Sequence, residues 1–167
     1  KNVRDCLLDH LENELGYPCF VKPANLGSSV GITKATNRQE LLKGISEASK
    51  FDKRLVVEKA VKARELECAV LGREKLKASL VGEICFNSDW YSYDVKYSDD
   101  SSEMIIPAPL PKKIENQIRT TALKACAAID AYGMARVDFF YSSDTNDFWV
   151  NEINTLPGFT SKSMYPK

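Results

Sequence analysis

The chain has 167 residues, 44% hydrophobic and 10% aromatic, with 23 basic side chains balancing 23 acidic ones, the proportions of one soluble domain or two small lobes and not of a disordered chain. A formal charge of zero offers no footprint for a nucleic-acid backbone or an anionic membrane, so neither partner is expected and any phosphate chemistry has to be local. No apolar run approaches a spanning helix, and the charged opening segment is unlike a signal peptide, so a cytoplasmic location is expected.

Val3, Cys6, Leu7, Leu11 and Leu15 recur at helical spacing and stop at Gly16 and Pro18. Cys19 to Lys22 reads as a short strand ended by Pro23, and Ala24 to Gly31 as a loop of small residues. Asn37 with Glu40 forms a capping box that opens a helix through about Lys50. Leu55 to Glu58, Leu66 to Leu71 and Leu76 to Phe86 read as strands, the last two joined by a turn around Gly72 and Glu74. Asn87 to Glu103 is a polar, aromatic-rich loop too long to be a mere connection. A short strand, Met104 to Ile106, precedes prolines 107, 109 and 111, the expected boundary between two lobes. Ile114, Ile118, Ala122, Leu123, Cys126 and Ile129 then mark an amphipathic helix ending at Gly133. A hairpin with arms Met134 to Tyr141 and Phe148 to Asn154 completes an α+β order.

Five cysteines without a CxxC pair, and one histidine, His10, argue against a zinc site. They suit reduced, buried thiols. A Ser-His-Asp triad would need His10, which lies in a helix-like stretch far from any nucleophile motif.

The hairpin carries the strongest chemical signal. The strand period of two puts Arg136 and Asp138 on one face of the first arm, and Glu152 and Asn154 on one face of the second. If Ser142 pairs with Phe148, Asp138 opposes Glu152 and Arg136 opposes Asn154. Two opposed carboxylates need positive charge between them. Arg136 supplies part, and two carboxylates with an amide oxygen are a partial ligand set for Mg²⁺. From polarity alone, a solvated face with a surface salt bridge is an equal alternative. Gly27-Ser28-Ser29-Val30-Gly31 follows a strand ending in Lys22; backbone N–H groups, hydroxyls and an ammonium there suit phosphates, but the loop is neither a Walker A nor a dinucleotide fingerprint, and taken alone it reads better as a flexible hairpin turn. Charged residues at 58, 59, 64, 65 and 67 bracket strands and read equally well as solvated ends. After Pro157-Gly158, the Gly158 N–H can serve a developing oxyanion and Ser163 a carboxylate, the alternative being a frayed terminus.

Phe20-Val21-Lys22-Pro23-Ala24, Gly27 to Gly31, Val57-Glu58-Lys59, Arg64-Glu65-Leu66-Glu67, Lys96-Tyr97, Pro107-Ala108, Ala135-Arg136-Val137-Asp138 and Asn151-Glu152-Ile153-Asn154-Thr155-Leu156-Pro157-Gly158-Phe159-Thr160 occur together and in this order. Over nearly the whole chain they resemble the D-alanine-D-alanine ligases of the ATP-grasp superfamily. The resemblance implies an α+β ATP-grasp fold of two lobes, each with an antiparallel-rich sheet and helices, and nucleotide between them. Residues 1–106 would be mainly the central lid lobe with a mobile loop at 87–103, and residues 107–167 a portion of the catalytic lobe. The family's N-terminal domain has no counterpart here, so the chain is expected to be part of a longer protein.

The implied activity is ATP-dependent ligation of two D-alanines through an acyl phosphate, for peptidoglycan. Lys22 and Lys59 would contact ATP phosphates or adenine, Glu58 and Val61 the adenine edge, and Glu65 the ribose. Ser28 and Ser29 would lie in the loop over the phosphates, with Ser28 also among the catalytic groups. Trp90, Lys96 and Tyr97 would belong to the mobile loop, Trp90 and Lys96 among the nucleotide-binding residues and Tyr97 serving catalysis and favouring an amine acceptor where a histidine would favour D-lactate. Asp138, Glu152 and Asn154 would hold two Mg²⁺, with Mn²⁺ as a substitute. Arg136 and the Gly158 N–H would stabilise the tetrahedral intermediate, and Ser163 with the Met164 N–H would hold the acceptor carboxylate. The substrates would be small molecules, and a homodimer is an open expectation. Ala60 stands where some members carry a large aromatic and Trp90 where Phe is commoner, so adenine packing is expected to differ. The alternatives are another ATP-grasp carboxylate-amine ligase and a non-catalytic ATP-binding regulatory module. A glycosidase using Asp138 and Glu152 leaves Lys22, Ser28 and Lys59 unexplained.

Overall fold

A computed structural model describes residues 3–26, 29–86, 102–161 and 163–167. The chain divides into two compact units, the first running to Val61 and the second beginning at Lys62.

In the first unit, α1 (Val3–Leu15) leads into β1 (Cys19–Pro23), followed by β2 (Thr33–Ala35), α2 (Arg38–Ala48) and β3 (Leu55–Lys59). The helix α1 ends where Gly16 takes a positive φ of 66° and its N–H closes onto the Glu12 carbonyl at 3.0 Å. β1 lies between β2 and β3, antiparallel to both. Its alternation buries Cys19 and Val21 with Leu8, Ala35, Leu41 and Ala48. Close approach of α2 depends on Gly44, where a Cβ would come within 3.2 Å of Val21 and 3.3 Å of Thr33. At the start of α2, Asn37 caps the Glu40 N–H at 3.0 Å, as its residue type predicts. Glu40 does not complete a capping box: its carboxylate accepts from the N–H and hydroxyl of Thr36, one residue earlier. The sequence gives no sign of β2, because a three-residue strand shows too little alternation to separate it from the loop.

The second unit comprises β4 (Arg64–Gly72), β5 (Lys77–Phe86), β6 (Ser102–Ile105), α3 (Lys112–Ala128), β7 (Gly133–Tyr141) and β8 (Phe148–Asn154). The sheet order is β6-β5-β4-β7-β8, antiparallel throughout. α3 covers one face, packing Ile114, Ile118, Ala122 and Cys126 against Leu66, Cys68, Val70, Val81, Val137 and Phe139. Alternate residues, including Glu65, Glu67, Arg136 and Asp138, point to the opposite face, so the strand period separates core from chemistry.

The expected lobe boundary at prolines 107–111 is corrected here. β4, β5 and β6 belong to one sheet with β7 and β8, joined to them through the β4–β7 ladder, so the division falls before β4. A proline cluster marks a local break in regular structure, whereas the unit boundary is set by β4–β7 pairing between segments about 70 residues apart, as in Glu67↔Asp138. The expected loop end also moves, since β6 begins at Ser102. Residues 87–101, with the sequence-assigned Trp90, Lys96 and Tyr97, lie outside the described residues, as does Ser28.

Candidate active site

The hairpin supplies the central cluster. Arg136 opposes Asn154 and Asp138 opposes Glu152, the pairing expected from the sequence. The expected turn is nevertheless different. Tyr141, not Ser142, pairs with Phe148, and Asn151 is an extra residue between Glu152 and Val150 that restores the register of the functional pairs. The turn itself is held by Ser142 N–H to the Asp147 carbonyl at 2.9 Å and by Tyr141 Oη donating to Asn146 Oδ1 at 2.8 Å.

Arg136 donates from Nε to Asp138 Oδ1 at 2.7 Å and from Nη2 to Oδ2 at 2.6 Å, a bidentate pair. Asn154 Nδ2 donates to Asp138 Oδ2 at 3.1 Å and to Glu152 Oε1 at 3.2 Å. The amide thus sits between the two carboxylates and offers each a partial positive charge. Arg136 Nε also lies 3.3 Å from Glu67 Oε2. Glu67 opposes Asp138 in the ladder, so Glu67, Asp138 and Glu152 form one row across β4, β7 and β8. Three carboxylates in a row against one guanidinium leave net negative charge on this face.

The ionisation of Asp138, whose side chain is only 15% exposed, is shifted chiefly by its burial. Burial, assisted by the negative charge of Glu152 and opposed by Arg136, pushes its carboxyl up to about 6. Burial alone would lower the Arg136 guanidinium, but its hydrogen bonds to Asp138 and the surrounding carboxylates outweigh this and hold it charged, above its ordinary value. Glu67 escaped the sequence assignment because its relation to Arg136 depends on the β4–β7 register, which no local pattern contains.

The Arg64-Glu65-Leu66-Glu67 motif divides between the two faces of the sheet. Arg64 forms a bidentate pair with Glu83 on the helix side, at 2.7 and 2.6 Å, lies over the Tyr141 ring and donates to the Pro109 carbonyl. Glu65 stands on the other face, opposite Ile84 and Phe140.

Beyond β8, Gly158 and Ser163 are brought together. Ser163 Oγ accepts from the Thr160 N–H at 3.1 Å, and a Cβ built on Gly158 would lie 2.9 Å from that oxygen. A side chain at 158 would therefore displace Ser163 Oγ from its present position. Met164 is buried against Gly82 of β5. A cavity of about 180 Å³ opens on this face, with Glu67, Gly82, Arg136 and Met164 in its wall.

In the first unit, Lys22 Nζ pairs with Glu58 at 2.8 Å. The β1–β3 ladder puts both on the face away from the buried Val21. Lys59 opposes Cys19 and so falls on the alternate face, separated from Lys22 by the pleat. Val61 is exposed beyond β3, and Ser29 adopts a positive φ of 60°, with Ile32 N–H bonded to its carbonyl.

Among the described residues, no group of three or more His, Cys, Asp or Glu side chains is arranged to hold a metal ion. Asp138 and Glu152 are a pair, and a third ligand has to be the amide oxygen of Asn154. The donor set fits a hard divalent cation. Its charge would relieve the Asp138–Glu152 opposition, and rotation of the Asn154 amide would exchange Nδ2 for Oδ1 between the two carboxylates.

A family model described as "D-ala D-ala ligase C-terminus" matches residues 1–167. The D-alanine--D-alanine ligase of Prochlorococcus marinus (strain MIT 9313) is 64% identical over 163 residues, 98% of this chain and 46% of that protein. The ligase of the same name from Synechococcus sp. (strain CC9311) is 64% identical over 160 residues, 96% of this chain and 45% of that protein. The chain thus spans about half the length of these relatives. Among solved structures, the VanG D-Ala:D-Ser ligase from Enterococcus faecalis superposes with a TM-score of 0.85 at 38% identity, over 98% of this chain and 47% of that one. The D-alanine-D-alanine ligase from Coxiella burnetii gives 0.78 at 36% identity, over 99% of this chain and 43% of that one. The α+β arrangement of antiparallel sheets and helices is that of these ATP-grasp ligases. With the whole length matched, the chain belongs to the D-ala D-ala ligase C-terminus family.

Proposed function

We propose that this chain carries the ATP- and metal-binding chemistry of a cytoplasmic ligase that joins two D-alanines through an acyl phosphate, producing the dipeptide used in peptidoglycan. The observation that carries this reading is the convergence of Arg136, Asp138, Glu152 and Asn154 on one sheet face, in the same unit as the Gly158–Ser163 contact. A nucleotide-binding module without acceptor chemistry has no use for that contact. The names of the relatives support the same substrates.

In this reading Asp138, Glu152 and Asn154 hold Mg²⁺, two ions when ATP is present, with Mn²⁺ as a substitute. Bound there, Mg²⁺ supplies charge neutralisation for the phosphate oxygens. The other roles belong to side chains and backbone. Lys22, fixed by Glu58, addresses the phosphates with Ser28 and Ser29; Glu58, Lys59 and Val61 bind adenine; and Glu65 binds ribose. Trp90 and Lys96 serve the nucleotide, and Tyr97 serves catalysis. Arg136 uses Nε and Nη2 to grip Asp138, which orients the guanidinium; with the Gly158 N–H it stabilises the oxyanion formed when the acceptor amine attacks the acyl phosphate. Ser163 Oγ and the Met164 N–H hold the acceptor carboxylate.

The test uses the native full-length protein and D-alanine-dependent phosphate release. Asp138→Asn is expected to lower turnover by about 10²-fold or more. Wild-type turnover of this variant at limiting Mg²⁺ would overturn the assignment. The 167 residues alone are expected to bind ATP with Mg²⁺ but to form little dipeptide. A D-serine acceptor is the second reading, favoured by the 38% identity to a D-Ala:D-Ser ligase; competition between D-alanine and D-serine separates the two.

A further inference from the structure

The segment after β8 returns over the open face of the second unit's sheet, and one contact fixes its height. Met164 is 7% exposed, and its thioether lies across Gly82. A Cβ built on Gly82 would overlap Met164 Sδ, with Met164 Cε at 3.2 Å and Ile106 Cγ1 at 3.3 Å. Glycine inside a strand weakens it and marks a site where another group approaches the backbone closely. Gly82 opposes Glu67 in the ladder, and Glu67 opposes Asp138. The seat of Met164 therefore belongs to the same cross-strand row as the carboxylates.

We propose that Gly82 is a positioning residue for the acceptor substrate: its bare Cα seats Met164, and through Met164 it sets Ser163 against Gly158. The inference rests on the assignment of Ser163 to the acceptor carboxylate made above. The flanking residues are tied on both sides. Ser163 N–H bonds to the Thr160 carbonyl at 3.0 Å and Tyr165 Oη donates to the Val70 carbonyl at 3.0 Å. Lys167 Nζ reaches Met104 Sδ at 3.7 Å. An added methyl at 82 would take the position of Met164 Sδ and crowd Ile106 Cγ1, so the buried thioether has to leave its seat, and in this proposal residues 163–165 shift with it. Ser163 Oγ then loses its place beside Gly158, and the acceptor loses a hydrogen bond it uses in ground and transition states alike. Such a loss raises the Michaelis constant and leaves kcat unchanged.

The experiment compares wild type, Gly82→Ala, Met164→Ala and the double variant in the native full-length protein, separating acceptor from donor D-alanine by a two-site rate equation. Gly82→Ala is expected to raise the acceptor Michaelis constant about tenfold, the worth of one hydrogen bond, with kcat and the ATP constant unchanged. In the Met164→Ala background, where the thioether is gone, the same methyl is expected to have no effect. No rise in Gly82→Ala, or an equal rise in both backgrounds, overturns the proposal. If Gly82→Ala fails to fold, the double variant decides: folding supports the seat, and failure to fold overturns it. If wild type makes no ligation product, the functional reading fails and hydrogen exchange tests the seat alone. Lost protection at 158–167 with β4 and β7 unchanged supports it, and unchanged or uniformly lost protection overturns it.

Discussion

Glu152→Gln is expected to stabilise the metal-free chain while abolishing its response to Mg²⁺. The wild-type pairing of Asp138 with Glu152 is unfavourable without a cation, because the same Asn154 nitrogen lies 3.1 Å from one carboxylate and 3.2 Å from the other. Two unit charges at about 4 Å repel by about 4 kcal/mol at an effective dielectric of 20, and by about 1 kcal/mol in bulk water. Glu152 is exposed, which favours the lower figure, and the Asn154 amide offsets part of the remainder. The ionisation of Asp138 gives a ceiling. Its rise to about 6 corresponds to about 3 kcal/mol in all, with burial the largest cause and Glu152 a smaller one. About 1 kcal/mol is therefore assigned to the repulsion, or roughly 4 °C in melting temperature for a unit of this size. Glutamine keeps the shape and one acceptor oxygen but removes the charge. Thermal unfolding near neutral pH, in EDTA and in millimolar MgCl₂, reads both consequences: the variant melts higher than wild type in EDTA, and only wild type is raised further by Mg²⁺. A variant that melts lower in EDTA, or that keeps the full Mg²⁺ shift, would refute the reasoning.

The pH dependence follows from the same carboxylate. Its folded pKa, about 6, lies above the ordinary value of 3.8, so the metal-free folded state retains a proton the unfolded chain has lost. That contribution to stability is complete below about pH 4 and disappears as pH rises through 6. Urea unfolding in EDTA should show wild type losing about 3 kcal/mol relative to Asp138→Asn across this interval; a flat difference curve would contradict it. The thiols give an independent check on the cores. Burial pushes Cys68 up to about 11 and raises Cys19 and Cys126, whereas Cys6 is exposed. Under native conditions a thiol reagent should label Cys6 rapidly and Cys19, Cys68 and Cys126 only after unfolding, and labelling of Cys68 at the rate of Cys6 would show the second core to be open.

What was legible in the sequence was local. The period of two in Met134 to Tyr141 already separates Ala135, Val137 and Phe139 from Arg136 and Asp138, and the structure buries the first set under α3. The cap at Asn37 is likewise a matter of residues three apart. The hairpin register came out as expected although its turn did not: pairing Ser142 with Phe148 and pairing Tyr141 with Phe148 differ by one residue, and the bulge at Asn151 cancels that difference before Glu152. Without the bulge, one step of register would have turned Glu152 and Asn154 to the helix-covered face. The lobe boundary and Glu67 were not legible, for a common reason. Both depend on β4 lying beside β7, a pairing chosen by how two apolar strand faces pack under one helix, not by anything near Glu67 or the prolines. That remote pairing also determines the chemistry. It brings Gly82 and Glu67 into the row of Asp138 and Glu152, so the seat of Met164, the second carboxylate on Arg136 and the paired carboxylates share one ladder. A change in any strand of that ladder is then felt by the others through the register rather than through direct contact.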